Sequence, residues 1–348
     1  RNKVSIPLDF HFNILKQNQR TALPLVSNDK DKATEQKIER FQLFADKQKK
    51  ENRNTIFDIE NLSNYKNKIA IIHADGNGLG NIVKELNETE IVKFSKDLDE
   101  ATRKAYKLAS EGIEKIREVI LGGDDLTVIV DANEALKFTK KFLEEFEKNS
   151  KKIYKDFDLT ACAGITFCNE KYPFHYAVKL SEDLCSHAKK DSKDFAKEKN
   201  LSLAPSSIMF HNIQSSNVES FSKFIDDELT INGVRCDFGA YYLNEYENKP
   251  TIENLEKVIE DFKKENSPKG RLREWLSDLE FDRTYAQNQL NRIKEISKKN
   301  KWETKNLSKL HKELEINKLI VQKDEKQKTP IFDILQILSV TDENKDTK

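Results

Sequence analysis

Two apolar segments that each run into glycine-flanked carboxylates limit what this chain can fold into. They are Lys68-Ile-Ala-Ile-Ile-His-Ala-Asp75-Gly-Asn-Gly-Leu-Gly80 and Ile116-Arg-Glu-Val-Ile-Leu-Gly122-Gly-Asp-Asp125-Leu-Thr-Val-Ile-Val130. The first reads as a strand that ends at Asp75 and opens through glycines into a helix beginning near Asn81. The second reads as a hairpin, Ile116–Leu121 and Leu126–Val130 flanking Gly-Gly-Asp-Asp.

Helical spacing fills the intervals. Ile91, Phe94, Leu98, Ala101, Ala105 and Leu108 recur every three to four residues and mark one buried helix face. A second helix is expected over about Asn133–Tyr154, with Phe138, Phe142 and Phe146 aligned. A strand at Leu159–Phe167 and a helix at about Phe174–Lys190, with Ala177, Leu180, Leu184 and Ala188 inward, complete the unit. The order β-α-β-β-α-β-α makes the fold class α+β, a ferredoxin-like arrangement with an extra helix.

Three regions are expected. Residues 1–64 form a polar lead-in with one helix from about Ala33 to Lys50, residues 65–204 the ferredoxin-like domain, and residues 205–348 a loop-rich and then mostly helical C-terminal domain. In the last, the strand signal fades beyond Pro205. Helical sequence follows at Ile252–Lys264 and Arg271–Leu279, then in a charged run from Tyr285 to Lys323, and Pro330–Val340 reads as a short apolar helix docked on the others. Residue 1 is Arg and not Met, which leaves open that sequence precedes it.

Sixty Lys+Arg offset sixty Asp+Glu, so no global positive field draws the chain onto nucleic acid. No apolar run reaches the roughly 20 residues that span a bilayer, and the expectation is a cytoplasmic chain without membrane contact. The four cysteines, Cys162, Cys168, Cys185 and Cys236, lack zinc-site spacing, and Cys185 with His187 is the weak exception.

In a ferredoxin-like sheet the first strand lies antiparallel beside the second strand of the hairpin. That topology brings Asp75 to Asp124 and Asp125. Three close carboxylates repel one another, and a divalent cation is the usual remedy. The carbonyl of Gly76 offers a fourth oxygen, because a residue without a side chain lets the backbone approach an ion. Glycines 76, 78 and 80 open a helix start suited to phosphate, with Lys84 and Lys189 as candidate phosphate contacts, although no Gly-Lys-Ser/Thr of a Walker loop follows. The competing reading makes Gly122-Gly123-Asp124-Asp125 an ordinary hairpin turn and Lys84 one surface lysine among many.

At these motifs the chain resembles the palm-domain polymerases and cyclases related to GGDEF diguanylate cyclases. More narrowly, it is similar to the GGDD palm of the large polymerase-like subunit, the cyclic oligoadenylate synthase, of type III CRISPR complexes. The resemblance covers residues 65–192 and rests on three motifs in order: Asp75-Gly-Asn77-Gly-Leu79, Gly122-Gly-Asp-Asp125, and Ser181-Glu-Asp-Leu-Cys-Ser-His-Ala-Lys189. It implies a palm that holds two Mg2+ or Mn2+ ions through Asp75, Asp124, Asp125 and the Gly76 carbonyl, with Asp75, Asp124 and Asp125 catalytic. It also implies nucleotide contacts from Gly76, Asn77, Gly78, Leu79, Gly80, Lys84, Gly122, Gly123 and Lys189. The implied reaction is attack of a ribose hydroxyl on the α-phosphate of a nucleoside triphosphate, with pyrophosphate leaving.

Departures from the family pattern refine this. Asn77 replaces a second acidic residue, which assigns it to substrate or to the turn. Val83 stands where diguanylate cyclases carry a guanine-reading Asn, so ATP is the expected substrate and the expected product a cyclic or linear oligonucleotide messenger in antiviral defence. The alternatives are a diguanylate or mixed dinucleotide cyclase, and a non-catalytic nucleotide-sensing or architectural subunit of an RNA-guided complex. Only one palm is visible, so ring closure calls for a homodimer, a partner palm subunit or preceding sequence.

Overall fold

The computed structural model describes residues 16–19, 21–27, 30–50, 56, 58–154, 158–214 and 221–341. Residues 1–55 and 56–348 are separate compact units. In the first, β1 (Leu25–Ser27) pairs antiparallel with β2 (Lys30–Asp31), and α1 (Lys32–Lys50) follows. Buried Asp31 accepts the Thr34 amide at 3.0 Å and fastens the helix start.

The second unit begins with β3 (Lys68–Gly76), α2 (Leu79–Glu85), α3 (Glu88–Ser110), β4 (Ile116–Gly122), β5 (Asp125–Asp131), α4 (Ala135–Asn149), β6 (Ala161–Asn169), α5 (Phe174–Glu198) and β7 (Ser207–Asn212). There follow α6 (Phe221–Asp227), β8 (Thr230–Ile231), β9 (Val234–Arg235), β10 (Tyr241–Tyr242), α7 (Ile252–Lys263), α8 (Lys269–Phe281), α9 (Arg283–Lys299), α10 (Leu307–Leu310), β11 (Val321–Lys323), β12 (Lys326–Lys328) and α11 (Ile331–Val340).

The main sheet runs β10-β7-β6-β3-β5-β4. Its last four members keep the ferredoxin-like order, each antiparallel to its neighbour, while β7 adds to β6 in parallel. Ala70, Ile72 and Ala74 of β3, with Leu126, Val128 and Val130 of β5, pack in one core with α3 and α4. Ile69 and Ile71, with Ile129, pack on the opposite face with Ala177, Leu180, Leu184 and Ala188 of α5. Period-2 alternation therefore decides which side chains of β3 and β5 face α5. The aligned phenylalanines of α4 sit in the first core, Phe138 and Phe142 stacked at 6.3 Å and Phe142 and Phe146 at 6.1 Å.

Two expectations need correction. Ser207–Asn212, in the stretch expected to be loop-rich, is a fully buried strand. Polar side chains in it find partners inside the fold: Ser207 Oγ lies 2.7 Å from Ser192 Oγ, and Asn212 Nδ2 donates to Ser339 Oγ at 3.3 Å. The C-terminal region is also helical and β together, because β11, β12, β9 and β8 form a four-stranded sheet. The charged run from Tyr285 accordingly leaves the helix at Lys299 and reaches Lys323 in a strand.

Apolar α11 packs on α7, α8 and β7, so the core that contains α3 and α4 continues into the C-terminal helices. Among the described residues, no helix is long and apolar enough to cross a membrane.

Candidate active site

The pairing of β3 with β5 matches His73 to Thr127 and Ala74 to Leu126. One step further along this antiparallel ladder, Asp75 and Asp125 stand side by side. By the alternation above, His73, Asp75, Asp125 and Thr127 share the α5 face. His73, Asp75 and Asp125 each bring one possible ligand atom within 4.8 Å of the others. His73 Nδ1 is 3.1 Å from Thr127 Oγ1, a contact that fixes the ring.

Asp124 comes from the hairpin tip. Gly122 pairs with Asp125, which leaves Gly123 and Asp124 as a two-residue turn, and Gly123 has φ 62°, a conformation suited to glycine. Asp124 leans over Gly76: a Cβ placed on Gly76 would come 3.1 Å from the Asp124 Cβ and 2.5 Å from Leu79 Cδ1. Burial lifts the Asp124 carboxyl from an ordinary 3.8 to about 6, helped by its hydrogen bond to Asp75 and by the Asp75 and Asp125 charges.

Lys189 arrives from α5 on the same face. Its Nζ is 2.5 Å from Asp75 Oδ2 and donates to the Gly76 carbonyl at 2.7 Å. The close seat of α5 depends on Gly164 in β6, where a Cβ would come 2.0 Å from the Ser181 carbonyl oxygen and 2.5 Å from the Cys185 amide nitrogen. The bare strand at Gly164 thus sets how far Lys189 reaches.

The turn after β3 is fixed from inside. Asn77 is 3% exposed. Its amide donates to the Thr160 carbonyl at 2.8 Å, and its side chain donates to Thr160 Oγ1 and the Ala204 carbonyl, each at 3.1 Å. These bonds fasten the turn that follows β3. Gly78, at φ 71°, leads into α2, whose Leu79 and Ile82 are buried. Gly80 is exposed, and so is Lys84, which makes no ion pair among the described residues.

The hairpin tip has tethers that motif reading did not find. Asp99 Oδ1 accepts the Gly123 amide at 3.0 Å, Thr102 Oγ1 donates to the Gly123 carbonyl at 2.6 Å, and Arg103 Nη2 donates to the Leu121 carbonyl at 3.0 Å. Arg103 also holds Asp99 at 2.7 Å, which keeps that carboxyl below its ordinary range. The available signal was the i, i+4 spacing of Asp99 and Arg103 beside an apolar stripe. His73 was missed too, because nothing in a strand pattern marks one histidine as facing carboxylates.

Cys185 and His187 do not form a metal pair. Cys185 is buried with its Sγ donating to the Cys162 carbonyl at 3.2 Å, whereas His187 bonds Asp183 and Ser222.

The residues at the strand end fit a hard divalent cation. A crowded carboxylate, a carbonyl beside a glycine and two further acids present hard oxygen ligands with excess negative charge. Asp75, Asp124, Asp125 and the Gly76 carbonyl would hold it, with His73 as a further donor. Lys189 supplies one positive charge in that position.

The model of the Cas10/Cmr2 second palm domain matches residues 68–198. No curated protein matches the chain. Among solved structures, Csm1 of T. onnurineus aligns with a TM-score of 0.50 at 13% identity, over 82% of this chain and 39% of that one. A Csm1–Csm4 cassette in complex with pppApA aligns at 0.34 and 14% identity, over 40% of this chain and 22% of that one. The active GGEEF domain of a Vibrio cholerae diguanylate cyclase aligns at 0.31 and 13% identity, over 43% of this chain and 86% of that one. The chain thus spans well under half the length of the Csm1 structures it resembles. Over residues 68–198 the chain is thus similar to the second palm domain of Cas10/Cmr2.

Proposed function

We propose that this palm condenses ATP into a cyclic or linear oligonucleotide, a ribose hydroxyl of one nucleotide attacking the α-phosphate of the next and pyrophosphate departing. The observation that supports this reading best is the convergence of Asp75, Asp124 and Asp125 at one strand end with Lys189 beside them. Two magnesium or manganese ions held there would polarise the α-phosphate and neutralise the leaving oxygen. The protein's own part is placement. Lys189, now on Asp75, is a mobile cation for the triphosphate, and the tethered Gly122-Gly123 tip, without side chains, leaves room along the hairpin. Val83 is half-buried against the core and offers no hydrogen bond to a guanine edge, in keeping with ATP. Ring closure would draw on a second palm, from another copy or a partner subunit, in a type III CRISPR assembly like those the Csm1–Csm4 and Cmr relatives form.

The test is to incubate the full chain, alone and with candidate partner subunits, with each labelled triphosphate and Mg2+ or Mn2+, and to resolve products by mass. Oligoadenylate that disappears in Asp124→Ala/Asp125→Ala supports the proposal; no product under any of these conditions overturns it. A second reading, a palm that binds nucleotide without turnover, draws on the Lys189 ammonium lying between two of the oxygens a cation would use. Saturable ATP binding without product would select it.

A further inference from the structure

The start of α8 and the end of α9 enclose a cavity of about 150 Å3 that takes no lining residue from the palm. One water needs only roughly 10–15 Å3. α8 is 13 residues long and has no side-chain cap, since Pro268 precedes it. The first N–H groups of such a helix lack partners within it and carry its positive dipole end.

A second observation points the same way. Ser297 lies on the core stripe of α9, lines the cavity at 4% exposure, and its buried Oγ has no hydrogen-bond partner. An orphaned hydroxyl of this kind calls for a ligand or a bound water.

The remaining lining is rich in donors. Arg271 lines the cavity and makes no ion pair among the described residues, and no carboxylate lines it. The backbone carbonyls at the end of α9 are already engaged. The Ile296 and Lys298 carbonyls accept the Asn300 amide, the Ser297 carbonyl accepts the Trp302 amide, and the Asn300 carbonyl accepts Asn266 Nδ2. α9 also ends in Lys298 and Lys299.

We propose that this cavity is a phosphate-binding site, independent of the palm, which takes a phosphoryl group of a nucleotide or of an oligonucleotide backbone. Arg271 supplies the charge, the α8 amides the anion-facing dipole, and Ser297 a hydroxyl. A guanidinium fork beside helix amides matches tetrahedral phosphate oxygens better than it matches a compact halide.

Each tryptophan of the chain is tied to a lining residue, Trp275 one turn beyond Arg271 on α8 and Trp302 through its amide to the Ser297 carbonyl, so intrinsic fluorescence is the readout. The full chain is titrated at fixed ionic strength with inorganic phosphate, adenosine monophosphate and a hydroxyl-ended oligoadenylate. A saturable change is expected in the wild type and in Asp124→Ala/Asp125→Ala. Arg271→Ala, at an exposed position, should keep the wild-type melting curve and bind at least about tenfold more weakly. Ser297→Ala should weaken binding about two- to tenfold. Preference for the oligoadenylate with steep salt dependence assigns a backbone phosphate, and equal binding of phosphate and the mononucleotide assigns a free or terminal one. A wild type silent to all three probes, or an Arg271→Ala response equal to the wild type, overturns the proposal.

Discussion

Lys189 Nζ lies 2.5 Å from Asp75 Oδ2, on the sheet face that Asp75 shares with Asp125 and His73. An ammonium and a divalent cation compete for such an oxygen, since both are stabilised by the same negative potential. Lys189→Met should therefore make the folded chain more dependent on added cation. Its melting temperature should rise more on adding Mn2+ than that of the wild type, while triphosphate turnover falls by about a hundredfold through loss of a charge aimed at phosphate. Melting curves with and without Mn2+ give the first result, and equal shifts in both proteins would show that Lys189 and the cation do not share the oxygen.

The lifted carboxyl of Asp124 gives the metal-free protein a pH signature. Its folded pKa of about 6 lies above the ordinary 3.8, so between those values the folded chain binds more protons than the unfolded one. Stability then falls as pH rises through that window and levels off above it. Asp124→Asn removes this loss. In chelated buffer from pH 4 to 8, the melting temperature of the variant should climb relative to the wild type up to about pH 6 and then run parallel. Saturating Mg2+ should reverse the trend, because a bound cation favours the ionised carboxylate. A flat difference without metal would mean that Asp124 is neither buried nor crowded by its acidic neighbours in solution.

The strands and helices that carry chemistry were legible because each leaves a periodic trace: Ile69 to Asp75 as an apolar run, Phe138, Phe142 and Phe146 at helical spacing, Gly122-Gly123 as a turn. The neighbourhood of Asp75 and Asp125 was legible because ferredoxin-like topology fixes which strands pair. Strand Ser207–Asn212 was not, because buried Ser207, His211 and Asn212 interrupt any apolar pattern, and the contacts that hold Ser207 and Asn212 come from other elements, Ser192 of α5 and Ser339 of α11. The same holds for the contacts of Asp99 and Thr102 with Gly123, where a helix surface meets a hairpin tip by tertiary packing alone. Asn77 was placed only as far as a choice between substrate and turn, since its Thr160 and Ala204 partners lie on other loops.

Gly164 lies in the middle of β6, yet the catalytic reading makes it matter at a distance. An added methyl would meet the Ser181 carbonyl oxygen at 2.0 Å and the Cys185 amide nitrogen at 2.5 Å, both backbone atoms of α5. Neither can rotate aside, so the helix must shift and carry Lys189 with it. Gly164→Ala is expected to lower stability by about 1–3 kcal/mol, the range for an overpacked core, and to cost turnover beyond what the unfolded fraction explains. Denaturant unfolding gives the first quantity and rates well below the melting transition the second. Full activity in a stably folded variant would show that the seat of α5 does not govern Lys189.

The hairpin tip is held by two hydrogen bonds to one glycine, Asp99 accepting from the Gly123 amide at 3.0 Å and Thr102 donating to its carbonyl at 2.6 Å. Because the tip carries Asp124 and Asp125, freeing it should loosen two carboxylates without emptying a core. Thr102→Val keeps the buried shape and removes the donor, whereas Asp99→Ala removes the acceptor and leaves Arg103 its bond to the Leu121 carbonyl. Each single change is expected to cost about 1 kcal/mol of stability, the usual net worth of such a bond. The two together should reduce turnover at least about tenfold, through lost preorganisation, with the wild-type affinity for the triphosphate largely kept. Hydrogen exchange at Gly123 through Leu126 supplies an independent readout: amides there should exchange faster in the double variant while those of β3 do not change. Protection equal to the wild type would remove the tether from the account of the site.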